Sequence, residues 1–170
     1  DKKLEQKIKI IHLLSMNSGL DESLSYESPP ATSWFYNTKA YSQLIFVLEK
    51  VTNKDIHSLS KEWLFDVIGM NETYWQVRSS KWPSSASRYG LVTTARDLLE
   101  LGLFVLNGGE EGDFHVIEDI DFFDESFVNS QNENLAYGYL WWLNSSATHI
   151  EIFSGDLKNE NLLPDAPEDT

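Results

Sequence analysis

The run Trp34-Phe35-Tyr36-Asn37-Thr38-Lys39-Ala40-Tyr41 sets a phenol, an amide, a hydroxyl and an ammonium at the start of an amphipathic segment. A tyrosine there can accept a proton when a nearby cation lowers its pKa from about 10. Such a base needs a nucleophile to activate, and the chain offers little choice. It has no Gly-x-Ser-x-Gly elbow. Its one Ser-x-x-Lys is Ser58-Leu59-Ser60-Lys61. On a helix Ser58 and Lys61 share a face, as a lysine-activated serine requires. Ile56, Leu59 and Trp63 mark the buried side, however, so the pair faces solvent. Ser15-Met16-Asn17 mimics a Ser-x-Asn element but falls where a helix ends. His12, His57, His115 and His149 are isolated from one another, without the i, i+4 spacing of a helical zinc pair. With no cysteine, thiol nucleophiles, disulfides and Cys-based zinc sites are excluded. No metal or organic cofactor is implied. From the residues alone, Tyr36 fits a core aromatic beside Trp34 and Phe35, its hydroxyl hydrogen-bonded, better than it fits an acid/base group.

The elements that must position these groups follow from periodicity. A first helix is expected from about Ile8 to Met16, stopped by Asn17-Ser18-Gly19 with Gly19 left-handed. Residues 21 to 33, rich in Ser, Pro, Glu and Thr, read as a loop. Tyr41, Leu44, Ile45, Leu48 and Val51 form the buried stripe of a helix from Thr38 to Thr52. A third helix follows Asn53-Lys54-Asp55, with Ile56, Leu59, Trp63, Leu64, Val67 and Ile68 on one face and Gly69 closing it. The short connection between these two helices predicts an antiparallel hairpin. Residues 71 to 90, including Tyr74, Trp75, Trp82 and Tyr89, read as a long, partly buried loop. Thr94-Ala95-Arg96-Asp97 is a capping-box variant whose hydroxyl and carboxylate would satisfy free N–H groups of a helix ending at Asn107-Gly108-Gly109. Phe122, Phe123, Phe127 and Val128 suggest a short helix. Tyr137 to Trp142 and His149 to Phe153 alternate as strands. The predicted class is mainly α with a few short strands (α+β), as one partial domain over residues 1–156 and an irregular tail over 157–170.

Charge excludes one class of partner. Thirteen basic against 27 acidic residues give a net −14, which opposes nucleic-acid binding. No Lys or Arg lies between Arg96 and Lys158, an interval that contains Glu110, Glu111, Asp113, Glu118, Asp119, Asp121, Asp124 and Glu125. The stretch lacks the turn glycine of a calcium loop and reads as a solvated acidic loop. No apolar run is long enough to span a membrane. Asn71-Glu72-Thr73 and Asn144-Ser145-Ser146 fit the glycosylation acceptor pattern, which matters only in a eukaryotic secretory protein.

Six segments resemble, in order, the serine hydrolases of the β-lactamase and penicillin-binding-protein superfamily, in particular its class C-related branch of esterases and 6-aminohexanoate-dimer hydrolases. They are Ile11 to Leu20, Phe35 to Ala40, Leu48 to Thr52, Leu64 to Met70, Gly90 to Leu98 and Tyr137 to Trp142. The resemblance implies a serine on a Ser-x-x-Lys helix that forms an acyl-enzyme. The motif lysine and the tyrosine of a Tyr-x-Asn element handle its proton, and a Lys/His-Thr/Ser-Gly strand holds substrate. By position Tyr36 matches that tyrosine. Thr38 stands where the asparagine is usual, and Asn37 is the candidate substitute, so Asn37 and Thr38 are the expected substrate contacts.

The family's Ser-x-x-Lys would precede Asp1. Its Lys/His-Thr-Gly strand would follow the Tyr137 to Trp142 match, where Ser154-Gly155 lacks a cationic partner. What remains resembles the mostly helical subdomain. The expectation is part of a serine hydrolase of ester or amide bonds, inactive by itself, with a small-molecule ester or amide as the substrate of the complete enzyme. The alternative is a non-catalytic binding module, since an exposed apolar patch would invite a partner or self-association. The resemblance leans towards a periplasmic or secreted setting.

Overall fold

The computed structural model describes residues 5–79, 88–112, 114–144, 148–150 and 155–163. Trp82, Glu151-Ile152-Phe153 and the tail from Pro164, all given expectations above, lie outside them. The contacts divide the chain into two compact units. One draws on residues up to Tyr41 and from Asp124 onward, and the other is Ser42–Phe123.

In the Ser42–Phe123 unit, helix α3 spans Gln43–Thr52 and ends at left-handed Asn53. The helix expected from Thr38 is interrupted at Ser42, where a tight Ile45 N–H to Ser42 carbonyl bond replaces the longer α-type step. Its apolar stripe is open rather than buried: Leu48 is 39% and Val51 79% exposed. The next helix, α4, spans Ile56–Ser60, and the Asp55 carboxylate caps it by accepting from the Ser58 N–H. Lys61–Phe65 then continues as a wide π-type turn, with Asp66 N–H bonding the Lys61 carbonyl.

That extra residue per turn rotates everything after it by about 100° relative to an α-helix. Phe65, absent from the expected face, is therefore buried, Trp63 and Val67 are left 53% and 43% exposed, and Ile68 is buried as its place on that face predicts. Phe65, Ile68, Met70 and Phe104 form the core of this unit, with Leu64, Trp75, Leu101, Val105, Val116 and Ile117 against it. Left-handed Gly69 lies just before Met70.

The stretch expected to be a long loop contains a hairpin instead. Strand β1 (Tyr74–Val77) pairs antiparallel with β2 (Tyr89–Val92), with Tyr74 opposite Val92 and Val77 opposite Tyr89. Aromatic and β-branched residues suit a pleated surface, but the long insertion between the strands hides their relation in the sequence.

Helix α5 spans Ala95–Leu106, and the Thr94 hydroxyl caps it by accepting from the Asp97 N–H at 3.2 Å. The Asp97 carboxylate does not complete a reciprocal box. It accepts from the Glu72 N–H at 2.9 Å and the Thr73 hydroxyl at 2.6 Å, which ties the start of α5 to the approach to β1. A two-residue ladder, β3 (Glu110–Glu111) with β4 (Phe114–His115), and helix α6 (Ile120–Glu125) follow. The acidic stretch is thus partly ordered rather than a plain loop.

The other unit contains α1 (Ile10–Leu14), α2 (Thr38–Tyr41) and a short pairing of β5 (His149–Ile150) with β6 (Leu157–Lys158). Residues 157–158 are therefore not irregular. Tyr137 to Trp142 is a turn, not a strand. The two ends meet in a single bridge, Gly138 N–H bonds the Trp141 carbonyl at 2.9 Å, and Leu140 is left-handed. A Cβ on Gly138 would lie 2.2 Å from the Ser126 carbonyl oxygen, so only glycine fits. Among the described residues no helix is long and apolar enough to cross a membrane.

Phe65→Ala is expected to lower stability by about 3–5 kcal/mol and Trp63→Ala by only about 0.5 kcal/mol, as read from urea midpoints. The reverse order would restore an uninterrupted α-helix over 56–68. Hydrogen bonds, first from the Thr73 hydroxyl, hold the Asp97 carboxyl below its usual range. Its stabilisation is present above the unfolded value of about 3.9 and is lost as pH falls through the depressed folded value. Thermal midpoints of wild type should therefore drop more between pH 7 and pH 3 than those of Asp97→Asn.

Candidate active site

The segment carrying Tyr36 is fixed by the end of α1. Helix α1 closes with Ser15 as its last cap and Met16 left-handed at φ 57°. Asn17 N–H bonds the His12 carbonyl at 3.0 Å, and Met16 N–H reaches Leu13, the paired bonds of a Schellman closure. The expected terminator, Gly19, is left-handed but lies further on. A non-glycine residue in this conformation costs roughly 1–2 kcal/mol. Met16 is 3% exposed, and its burial offsets that strain.

Once closed, the chain presents a series of carbonyls. Leu14 accepts from Leu140 N–H, Met16 from Phe35 N–H at 2.8 Å, Asn17 from Ala31 N–H, and Gly19 from Glu27 and Ser28 N–H. A Cβ on Gly19 would sit 2.0 Å from the Ser28 carbonyl oxygen.

Tyr36 is half-buried within a cluster of rings. It stacks on Trp142 with centroids 6.1 Å apart and planes 21° from parallel. Tyr137 meets it edge-on at 6.4 Å, and Trp34 is tilted at 6.3 Å. Tyr137 lies at the centre, 1% exposed. Burial, with added contributions from Tyr36 and Tyr41, pushes its phenol far above the ordinary value, so it stays protonated and serves as packing. Tyr36 is the partly exposed phenol of this pair. A surface cleft of about 350 Å³ lies alongside, lined by Asp21, Glu22, Ser23, Glu27 and Phe35. Tyr36 turns instead towards the rings.

Asn37 is buried, and its amide is engaged within the chain. Nδ2 donates to the Leu20 carbonyl at 2.9 Å and the Asp21 carbonyl at 2.8 Å, and Oδ1 accepts from Ala40 N–H at 3.0 Å. Both amide hydrogens are used, which leaves no donor for the substrate contact expected of it. Thr38 begins α2 and is half-buried.

Ser58 and Lys61 lie in the other unit and are both exposed. The Ser58 hydroxyl donates to Asp55 at 2.6 Å, and Lys61 pairs with Asp66. Each is bound to a different carboxylate, in keeping with a solvated helix face. Of the acceptor-pattern asparagines, Asn71 is exposed, whereas Asn144 is buried and exchanges hydrogen bonds with Leu163. Among the described residues no cluster of His, Asp and Glu is placed to hold a metal.

Several residues of this site carry no assigned role in the sequence. Ser15 and Asn17 are buried, and Ser15 Oγ, Asn17 Oδ1 and Trp34 Nε1 have no hydrogen-bond partner among the described residues. The sequence predicts a strand for Tyr137 and Trp142, which pair across a turn. The signal was the density of rings in Tyr137-Gly138-Tyr139-Leu140-Trp141-Trp142, where the glycine permits the turn that brings residues 137 and 142 together.

Residues 1–154 match the family model described as Beta-lactamase, and no curated protein matches the sequence. Among solved structures, a protein from Bacteroides dorei DSM 17855 assigned as a beta-lactamase is similar over 91% of this chain and 57% of its own, with TM-score 0.68 and 16% identity. A penicillin-binding protein from Bacillus halodurans is similar over 80% of this chain and 57% of its own, with TM-score 0.58 and 17% identity. A protein from Bacillus anthracis assigned as a 6-aminohexanoate-dimer hydrolase is similar over 81% of this chain and 35% of its own, with TM-score 0.56 and 19% identity. The likeness at these identities is one of fold, and the chain spans 57% or less of the length of these three structures. The partial α+β fold and the superfamily resemblance both stand. Matched across residues 1–154, the chain belongs to the beta-lactamase family of serine-hydrolase-type proteins.

Proposed function

We propose that the chain is the proton-handling portion of a serine hydrolase that cleaves ester or amide bonds through an acyl-enzyme. The observation that carries this reading is the half-buried Tyr36, held by three rings, in the segment that resembles the family's Tyr-x-Asn element. In the reaction a serine hydroxyl adds to the substrate carbonyl carbon while Tyr36 takes its proton. The carbon–oxygen or carbon–nitrogen bond then breaks, and the proton passes to the departing alcohol or amine. Water repeats the sequence in reverse to release the acid. Thr38, at the start of α2, is the proposed polar contact to substrate.

Among the described residues no serine hydroxyl is bonded to Tyr36, and the 170 residues alone are proposed to be inactive. A second reading, a binding module, draws support from apolar side chains left open on helices of the Ser42–Phe123 unit, Val51 at 79% and Leu106 at 82% exposure.

A covalent serine probe and a chromogenic ester separate these cases. The isolated chain should neither label nor turn over. A polypeptide extended to include a Ser-x-x-Lys helix should do both, and Tyr36→Phe should slow its acylation by about 10²–10⁴-fold. Labelling of the isolated chain that Ser58→Ala abolishes would overturn the proposal and make Ser58 the nucleophile. An extended chain that binds a protein partner but never labels would favour the module.

A further inference from the structure

We infer that Asn37 is the positioning residue for Tyr36, acting through two side-chain bonds to the turn after α1 and separately from its role in starting α2. The inference rests on the reading of Tyr36 as the proton-handling phenol. Tyr36 is bracketed by ties to one stretch of chain. On its N-terminal side the Phe35 N–H bonds the Met16 carbonyl at 2.8 Å. On its C-terminal side the Asn37 amide donates to the Leu20 and Asp21 carbonyls at 2.9 and 2.8 Å. The backbone of Tyr36 is therefore held on both sides, while Trp142, Tyr137 and Trp34 hold its ring. Asn37 is 4% exposed, which shields these bonds from competing water.

The two jobs of the amide use different atoms. Oδ1 accepts from Ala40 N–H, the third N–H of α2, as a helix cap does. Nδ2 alone reaches the 20–21 turn. Asp and Ser are caps of similar quality to Asn, yet a carboxylate donates nothing and a serine hydroxyl is too short to span both carbonyls. An asparagine is thus the residue that starts the helix and ties down the turn at once.

Asn37→Ser and Asn37→Asp separate the roles. Both should keep far-ultraviolet circular dichroism near wild type, because the cap survives. Both should lose the nuclear Overhauser contacts between the Tyr36 and Trp142 rings, and should shift the Tyr36 ring resonances. Tyr139 serves as the internal reference and should not move. Ser130→Ala, which removes hydroxyl bonds to the Tyr137 and Gly138 carbonyls in the same unit, should leave the Tyr36 resonance in place.

In an extended, active chain both Asn37 variants should lower kcat with KM little changed. Intact Tyr36–Trp142 contacts in folded Asn37→Ser and Asn37→Asp would overturn the inference. A Tyr36→Phe enzyme with full activity would instead sink the reading it rests on, whatever the spectra show.

Discussion

The carbonyls of residues 14–21, exposed when α1 closes at Met16, are the constraint on which the site depends. Leu14 holds Leu140, Met16 holds Phe35, Asn17 holds Ala31, and Leu20 with Asp21 hold the Asn37 side chain. Strand-like segments without a sheet need partners for their backbone groups, and the turn after a short helix supplies them. The residues flanking Tyr36 and the turn that presents Trp142 are thereby referred to the same few residues. The price is a buried methionine in a left-handed conformation.

The ring cluster is a consequence. Trp34, Tyr36, Tyr137 and Trp142 come from two segments that are far apart in sequence, and they pack edge-to-face and stacked at 5.1–6.4 Å. Such geometries are favourable beyond the apolar area they bury. They also leave the Tyr36 phenol in a partly water-excluded setting, where any charge brought near it acts more strongly than in bulk solvent. That setting distinguishes Tyr36 from Tyr137, whose deep burial keeps it a neutral packing element.

The legible parts of this fold were those governed by local chemistry. Thr94 and Asp55 announce helix starts because a short polar side chain there satisfies free N–H groups, and the apolar runs at Ile56 and Leu98 set helix positions. The family order, from Ile11 to Trp142, was also readable. Other features depend on contacts distant in sequence. No local pattern marks the wide turn at Lys61–Phe65 that turns Trp63 outward, or the pairing of Tyr74–Val77 with Tyr89–Val92 across an insertion. Asp97 resembled a capping-box partner, and its reach to Glu72 and Thr73 emerges only in three dimensions. Asn37 shows the same limit: the sequence marks it as a substrate contact, while its amide hydrogens are both bonded to the Leu20 and Asp21 carbonyls.

Amide hydrogen exchange at Phe35 and Leu140 examines the carbonyl scaffold most directly, since neither residue belongs to a regular helix or strand. With their N–H groups bonded to Met16 and Leu14, both should exchange slowly and together, at the rate of opening of the whole unit. Exchange of either amide as fast as an unbonded loop residue would contradict the account, because the segment bearing Tyr36 would then have no fixed anchor.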